Sequence, residues 1–283
     1  MKKIKSIQFL TLGVITLTLL GTIGLIKNND YKQTSAVDHY PVDVSTYYNG
    51  ISGSGTSLLG QLQSLNKGMK RKNVGYSSMG TSPTGMFKYT DYDPNTVELD
   101  TNGQPYGTKI LSFYSGKSTT GWNREHVWPD SRGGGSVDND IFMPRPTISS
   151  ENSNRGNSSY VTGMAHSANG WDPVKAFADN IGVYESIRGE CARIIFYCAV
   201  ANPSLKIKEG ADMSYNNSIG DLISLLEWHV DNPINERERN RNNGGQYLQG
   251  NRNAFVDHPE YACKIWGNYN DETKKICGQS TTK

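Results

Sequence analysis

Two neighbouring segments constrain this chain more than any other feature: Trp122-Asn123-Arg124-Glu125-His126-Val127-Trp128-Pro129, and Pro144-Arg145-Pro146-Thr147-Ile148-Ser149-Ser150-Glu151-Asn152-Ser153-Asn154-Arg155-Gly156-Asn157. Proline cannot donate to a β-ladder, so Pro129 stops an extended segment whose last polar member is His126. Gly133-Gly134-Gly135 then breaks the chain. A short apolar run, Asp138 to Pro144, is hemmed by a proline and leads into the Asn- and Ser-rich stretch. The order predicted is strand end, loop, second strand, helix start. Neighbours on a regular strand point to opposite faces, so Glu125 and His126 can serve one site only where the strand frays.

Such a site would be well equipped. An imidazole titrates near neutral pH and can act as a base, and a carboxylate beside it is a hard donor for magnesium, manganese or calcium. The start of the following helix presents free amides and a positive dipole end, which suit a phosphate. An amide oxygen on Asn152 could complete the metal site. An isolated Glu-His pair is as readily a half-buried histidine beside a surface glutamate, and it is the surroundings that favour chemistry.

Four stretches in order, WNREHVWP, DIFMPRPTISSENSNRGN, RGECARIIFY and QGNRNAFVDHPE, span Tyr47 to Trp266 with their flanks. In these the chain resembles the ββα-metal (His-Me finger) nucleases, in particular the bacterial endonuclease I family of secreted nonspecific nucleases. The resemblance implies an α+β fold: a mainly helical single domain with short strands and a small ββα-metal motif. It implies His126 as the general base, with Glu125 and Asn152 holding one divalent cation, Mg2+ with Mn2+ or Ca2+ as alternatives. Asn152 is preferred over Asn154 and Asn157 because it lies six positions after Pro146. Arg155 or Arg145 would neutralise the scissile phosphate, and Arg124, Asn157, Asn251 and Arg252 would contact nucleic acid. Arg188 and Arg193 would support the cleft. The expected reaction is hydrolysis of DNA, and of RNA as a further substrate, to 5′-phosphate ends with little sequence preference.

The rest of the chain sets the context. Met1-Lys2-Lys3-Ile4-Lys5 precedes an uncharged, mostly apolar run from Phe9 to Ile26, read as an export signal or a retained anchor (1–26). A polar linker (27–45), the nuclease domain (46–270) and a C-terminal tail (271–283) follow. The product is then secreted, or tethered outside the cell membrane as a monomer. Leu58, Leu59, Leu62 and Leu65 predict an amphipathic helix, and residues 74–118 predict short strands and loops. Ile187, Cys191, Ile194, Ile195 and Cys198 share one helix face, which leaves Arg188, Glu190 and Arg193 facing solvent or substrate. Ile219, Leu222, Ile223, Leu226 and Val230 mark a further helix. The run from Glu236 to Arg241 reads as a solvated, salt-bridged helix end. His39, His166, His229 and His258 are expected to be non-catalytic.

The net charge is +2, and removing Lys2, Lys3, Lys5 and Lys27 turns it to −2. No global basic field attracts nucleic acid, so binding requires a local cationic cleft. The chain has 4 cysteines. Cys191 and Cys198 lie about 10 Å apart on a helix, too far to bond each other, and are read as core. Cys263 and Cys277 could close a loop around Trp266, with cross-pairing and free thiols left open. No Cys/His cluster has zinc spacing. Two other classes fit an exported chain: a surface nucleic-acid-binding or uptake protein that does not cut, which the joint presence of Glu125, His126 and Asn152 argues against, and an adhesive exported domain, which nothing beyond the possible anchor favours.

Overall fold

The structure is a computed structural model that describes residues 44–80, 85–119, 123–165, 170–178, 183–210 and 216–279. The apolar run, most of the linker, Trp122, His39 and His166 lie outside the described residues. All that is described belongs to one unit, His39–Lys283. It is an α+β domain, predominantly helical, whose strands form two-stranded pairs.

Helix α1 (Gly55–Met69) buries Leu58 and Leu62, with Leu59 and Leu65 at the edge of the core, as a 3.6-residue stripe requires. Strands β1 (Asn123–His126) and β2 (Pro144–Thr147) pair antiparallel, and helix α2 (Ser149–Arg155) follows after one residue. The loop between the strands makes two tight turns through glycine. Gly133 takes a left-handed φ of 91°, and a Cβ on Gly134 would lie 1.9 Å from the Trp128 carbonyl oxygen. Only glycine fits there.

Helix α3 (Ile187–Ala201) lies in the middle of the domain, packed against α1 and against helix α4 (Leu222–Asp231). It is buried continuously from Gly189 to Val200, so the expected solvent face is absent. Charges are tolerated inside because each finds a counter-charge. Arg193 meets both oxygens of Glu238 at 2.5 Å, and Glu190 pairs with Arg145. The partly exposed Arg188 grips Asp172 at 3.0 and 2.5 Å.

The same reasoning corrects the reading of residues 236–241. In helix α5 (Glu236–Gln249), Glu238 and Arg241 are buried, and Arg241 bonds Asp91 and the carbonyls of Ile141 and Pro144. Ile219 belongs to a short strand that pairs in parallel with Lys206–Ile207, and α4 starts only at Leu222. Most of the expected tail is structured: helix α6 (Asp271–Gln279) packs on α4. A disulfide joins Cys263 to Cys277, while Cys191 and Cys198 are free and buried. Among the described residues no helix is long and apolar enough to cross a membrane.

Candidate active site

Strand β1 ends on His126, and its alternation sorts the side chains: Glu125 is buried, whereas Arg124 and His126 are half-buried on the other face. Across the pair His126 and Arg124 face Pro144 and Pro146, which have no N–H to give. At this strand end the donor is a side chain. Arg155 Nη1 donates to the His126 carbonyl at 2.9 Å, and Nη2 to the Val127 carbonyl at 3.0 Å.

The same guanidinium lies 3.3 Å from Glu125 Oε1, which also accepts from the Tyr114 hydroxyl at 2.7 Å. Tyr114 is steadied in turn by Tyr160, oxygen to oxygen at 3.0 Å. Both contacts fall on Oε1, and no described residue donates to Oε2. Burial pushes the carboxyl up to about 7, against the pull of Arg155 and Tyr114. It is a buried acid short of positive charge.

The His126 ring packs against Tyr76, centroids 5.0 Å apart and planes at 39°. Arg124 lies over the other part of that surface, its guanidinium 4.0 Å from the Tyr76 centroid and its Nη1 donating to the Tyr76 carbonyl at 3.2 Å. Burial holds the imidazole below its ordinary value, opposed by Asp130 and Asp138 and reinforced by Arg155 and Arg124. It is neutral at neutral pH, as a proton acceptor must be.

Asn152 sits in the middle of α2, half-buried, and its side-chain amide has no hydrogen-bond partner among the described residues. The helix start is anchored through Glu151, whose Oε2 accepts from Ser112 at 2.6 Å and Thr147 at 3.1 Å. Among the described residues no three His, Cys, Asp or Glu side chains gather as a metal site. A cation here would depend on one carboxylate, one amide oxygen and water. That donor set suits magnesium, which keeps several waters and binds through few protein oxygens.

The arginines fall differently from expectation. Arg145 is 0% exposed; its Nε bonds Asp91 at 2.8 Å, its Nη1 bonds Glu190, and its guanidinium covers Phe113. It cannot reach a phosphate. Arg155 is 1% exposed and points inward, so its part is to hold the strand end and Glu125. Arg252 forms a two-bond fork with Asp257 at 2.7 Å each and reaches Asn243 and Gln246. Asn251, fully buried, donates to Asn66 and the Tyr197 hydroxyl. The QGNRN stretch therefore builds the fold and makes no substrate surface. Arg124 and Asn157 remain accessible.

Tyr76 and Tyr114 had no signal in the spacing of the chain. Each reaches the site from a separate segment. His229 is a core residue, bonded to the Pro259 carbonyl at 2.8 Å, and His258 stacks on Tyr261.

Comparison with known proteins places the chain in a family. The sequence model described as Endonuclease I matches residues 58–260. The chain is 30% identical over 262 residues to an extracellular ribonuclease of Bacillus amyloliquefaciens, covering 83% of each chain. It is 31% identical over 249 residues to an extracellular ribonuclease of Bacillus subtilis (strain 168), covering 79% of each. A match that takes in both strands, the helix after them and the buried central helix leaves no part of the site outside it, and the chain belongs to the endonuclease I family.

Proposed function

We propose that this nuclease is an exported, divalent-cation-dependent endonuclease that hydrolyses phosphodiester bonds of RNA and DNA with little sequence preference. The observation that carries the reading is the end of β1, where Glu125 and His126 are adjacent in the chain and the helix that carries Asn152 follows the paired strand. The groups are the half-buried ring of His126, the Oε2 of Glu125, whose other oxygen holds the contacts to Tyr114 and Arg155, and the side-chain amide of Asn152. The names of the two Bacillus relatives support export and action on RNA.

His126 accepts the proton of an attacking water, and the neutral state that burial favours keeps it ready to do so. Arg155 fixes the base from behind by holding the carbonyls of His126 and Val127. Tyr114 and Arg155 hold Oε1 of Glu125, which turns Oε2 into the free ligand atom. Glu125 and Asn152 would hold the cation, whose chemistry when bound is to polarise the phosphoryl oxygen and stabilise the leaving 3′-oxygen. Since the base takes its proton from water, a substrate 2′-hydroxyl is not needed.

The test is cleavage of matched RNA and 2′-deoxy oligonucleotides with magnesium and with EDTA, followed by end-group analysis. Cutting of both with magnesium only, leaving 5′-phosphates, is the expected result. Cutting of RNA alone, in EDTA, to 2′,3′-cyclic ends would overturn the mechanism. No cutting of either would favour a protein that only binds nucleic acid.

A further inference from the structure

With Arg145, Arg155 and Arg252 committed to the interior, the cationic surface that a near-neutral nuclease needs lies elsewhere. The last turn of α1 and the residues after it read Lys67-Gly68-Met69-Lys70-Arg71-Lys72, four cations in a short run. All four line one groove of about 650 Å³ that also exposes amides such as Gln63 and Asn73, and no Asp or Glu is among its lining residues. Lys67, Arg71 and Lys72 are exposed, and Lys67 and Lys72 have no ion-pair partner among the described residues.

The groove is fastened to the catalytic segment. Lys70 Nζ lies 2.8 Å from Oδ2 of Asp140, a buried carboxylate in the loop between β1 and β2. Asp140 also accepts from Tyr197 and Gln249 at 2.7 Å each, and the Arg71 amide donates to the Gln249 carbonyl at 2.8 Å. Beyond Lys72 the chain runs through Asn73, Val74 and Gly75 to Tyr76, whose ring touches His126. Four residues span at most about 14 Å, the length of roughly four phosphates along one strand of a duplex.

We infer that this groove is a second phosphate subsite, holding the nucleic-acid backbone a few nucleotides from the bond that is cut. The ligand class is a phosphodiester backbone, bound through charge and amides without base readout. The inference rests on the reading of the β1 end as the cutting centre. It explains how a chain with so little net charge engages a polyanion.

The test uses the full chain and the double variant Lys67→Ser/Lys72→Ser, with Lys67→Arg/Lys72→Arg as the charge-retaining control. Binding of a fluorescent single-stranded oligonucleotide is followed in EDTA as salt is raised. The serine variant should lower the log-log slope by roughly 1.4, at about 0.7 per phosphate contact on a single strand, and the arginine control should keep it. With magnesium, the serine variant should raise KM several-fold more for the long oligonucleotide than for a dinucleotide, with kcat for the long one preserved. Equal slopes in wild type and serine variant overturn the subsite. So does weaker binding to inorganic polyphosphate with oligonucleotide binding intact, which would assign the groove to another polyanion. If wild type cuts neither substrate, the reading of the strand end fails, while the slope in EDTA still decides the groove.

Discussion

At the scale of single residues, the proposed function divides the site into groups that react and groups that hold. His126→Ala removes a proton acceptor and no structural bond of the ring, so cleavage should fall by about 10²–10⁴-fold. Binding in EDTA and the circular dichroism spectrum should stay as they are, and substantial residual cutting by purified variant would refute the role. Asn152→Ala deletes one hard ligand of the proposed cation, and the magnesium concentration for half-maximal activity should rise. An unchanged magnesium titration would remove Asn152 from the site. The pH profile should depend on the metal. At saturating magnesium the acid limb belongs to His126 and should lie below its ordinary 6.5. At limiting magnesium, protons compete for Glu125, whose carboxyl stands at about 7 in the metal-free chain, so the limb should move upward. A limb at the same pH under both conditions would contradict the Glu125 assignment.

At the scale of elements, local punctuation was readable and burial was not. Pro129, the glycine run and Pro144 marked the ends of β1 and β2 correctly, because chain-breaking residues act on their own neighbours. The arginines were misplaced because their partners are remote: Asp91 is 54 positions from Arg145, and Glu190 is 45. A charged residue neutralised inside the core looks, in sequence, like one bathed in water. That also hid the true environment of α3, whose Glu190 and Arg193 suggested a wet face. Conversely, the run from Lys67 to Lys72 stands in the sequence as four cations in six residues, and it drew no expectation because nothing local distinguishes a binding groove from a solvated helix end. Arg252→Ala supplies the check. It should leave the salt slope of binding unchanged and lower stability measurably in urea titration, since it leaves Asp257 with Tyr48 and no cation. A reduced slope with wild-type stability would return Arg252 to the substrate surface.

At the scale of the whole molecule, the C-terminal region is tied down twice. The Cys263–Cys277 disulfide pins α6, and closing a loop of that size contributes about 3 kcal/mol. Mild reductant should lower the unfolding midpoint accordingly, and an unchanged midpoint would show that α6 docks without help. The second tie joins opposite ends of the sequence. Tyr48 donates to Asp257 across 209 positions, the Arg252 amide to Tyr47 across 205, and Asn251 to Asn66 across 185. Arg241 reaches back 150 positions to Asp91, beside the Arg145 that faces Glu125. Contacts of such long range cannot form until nearly all of the chain exists. A chain still on the ribosome therefore carries both β1 and β2 before the contacts that close this scaffold can form.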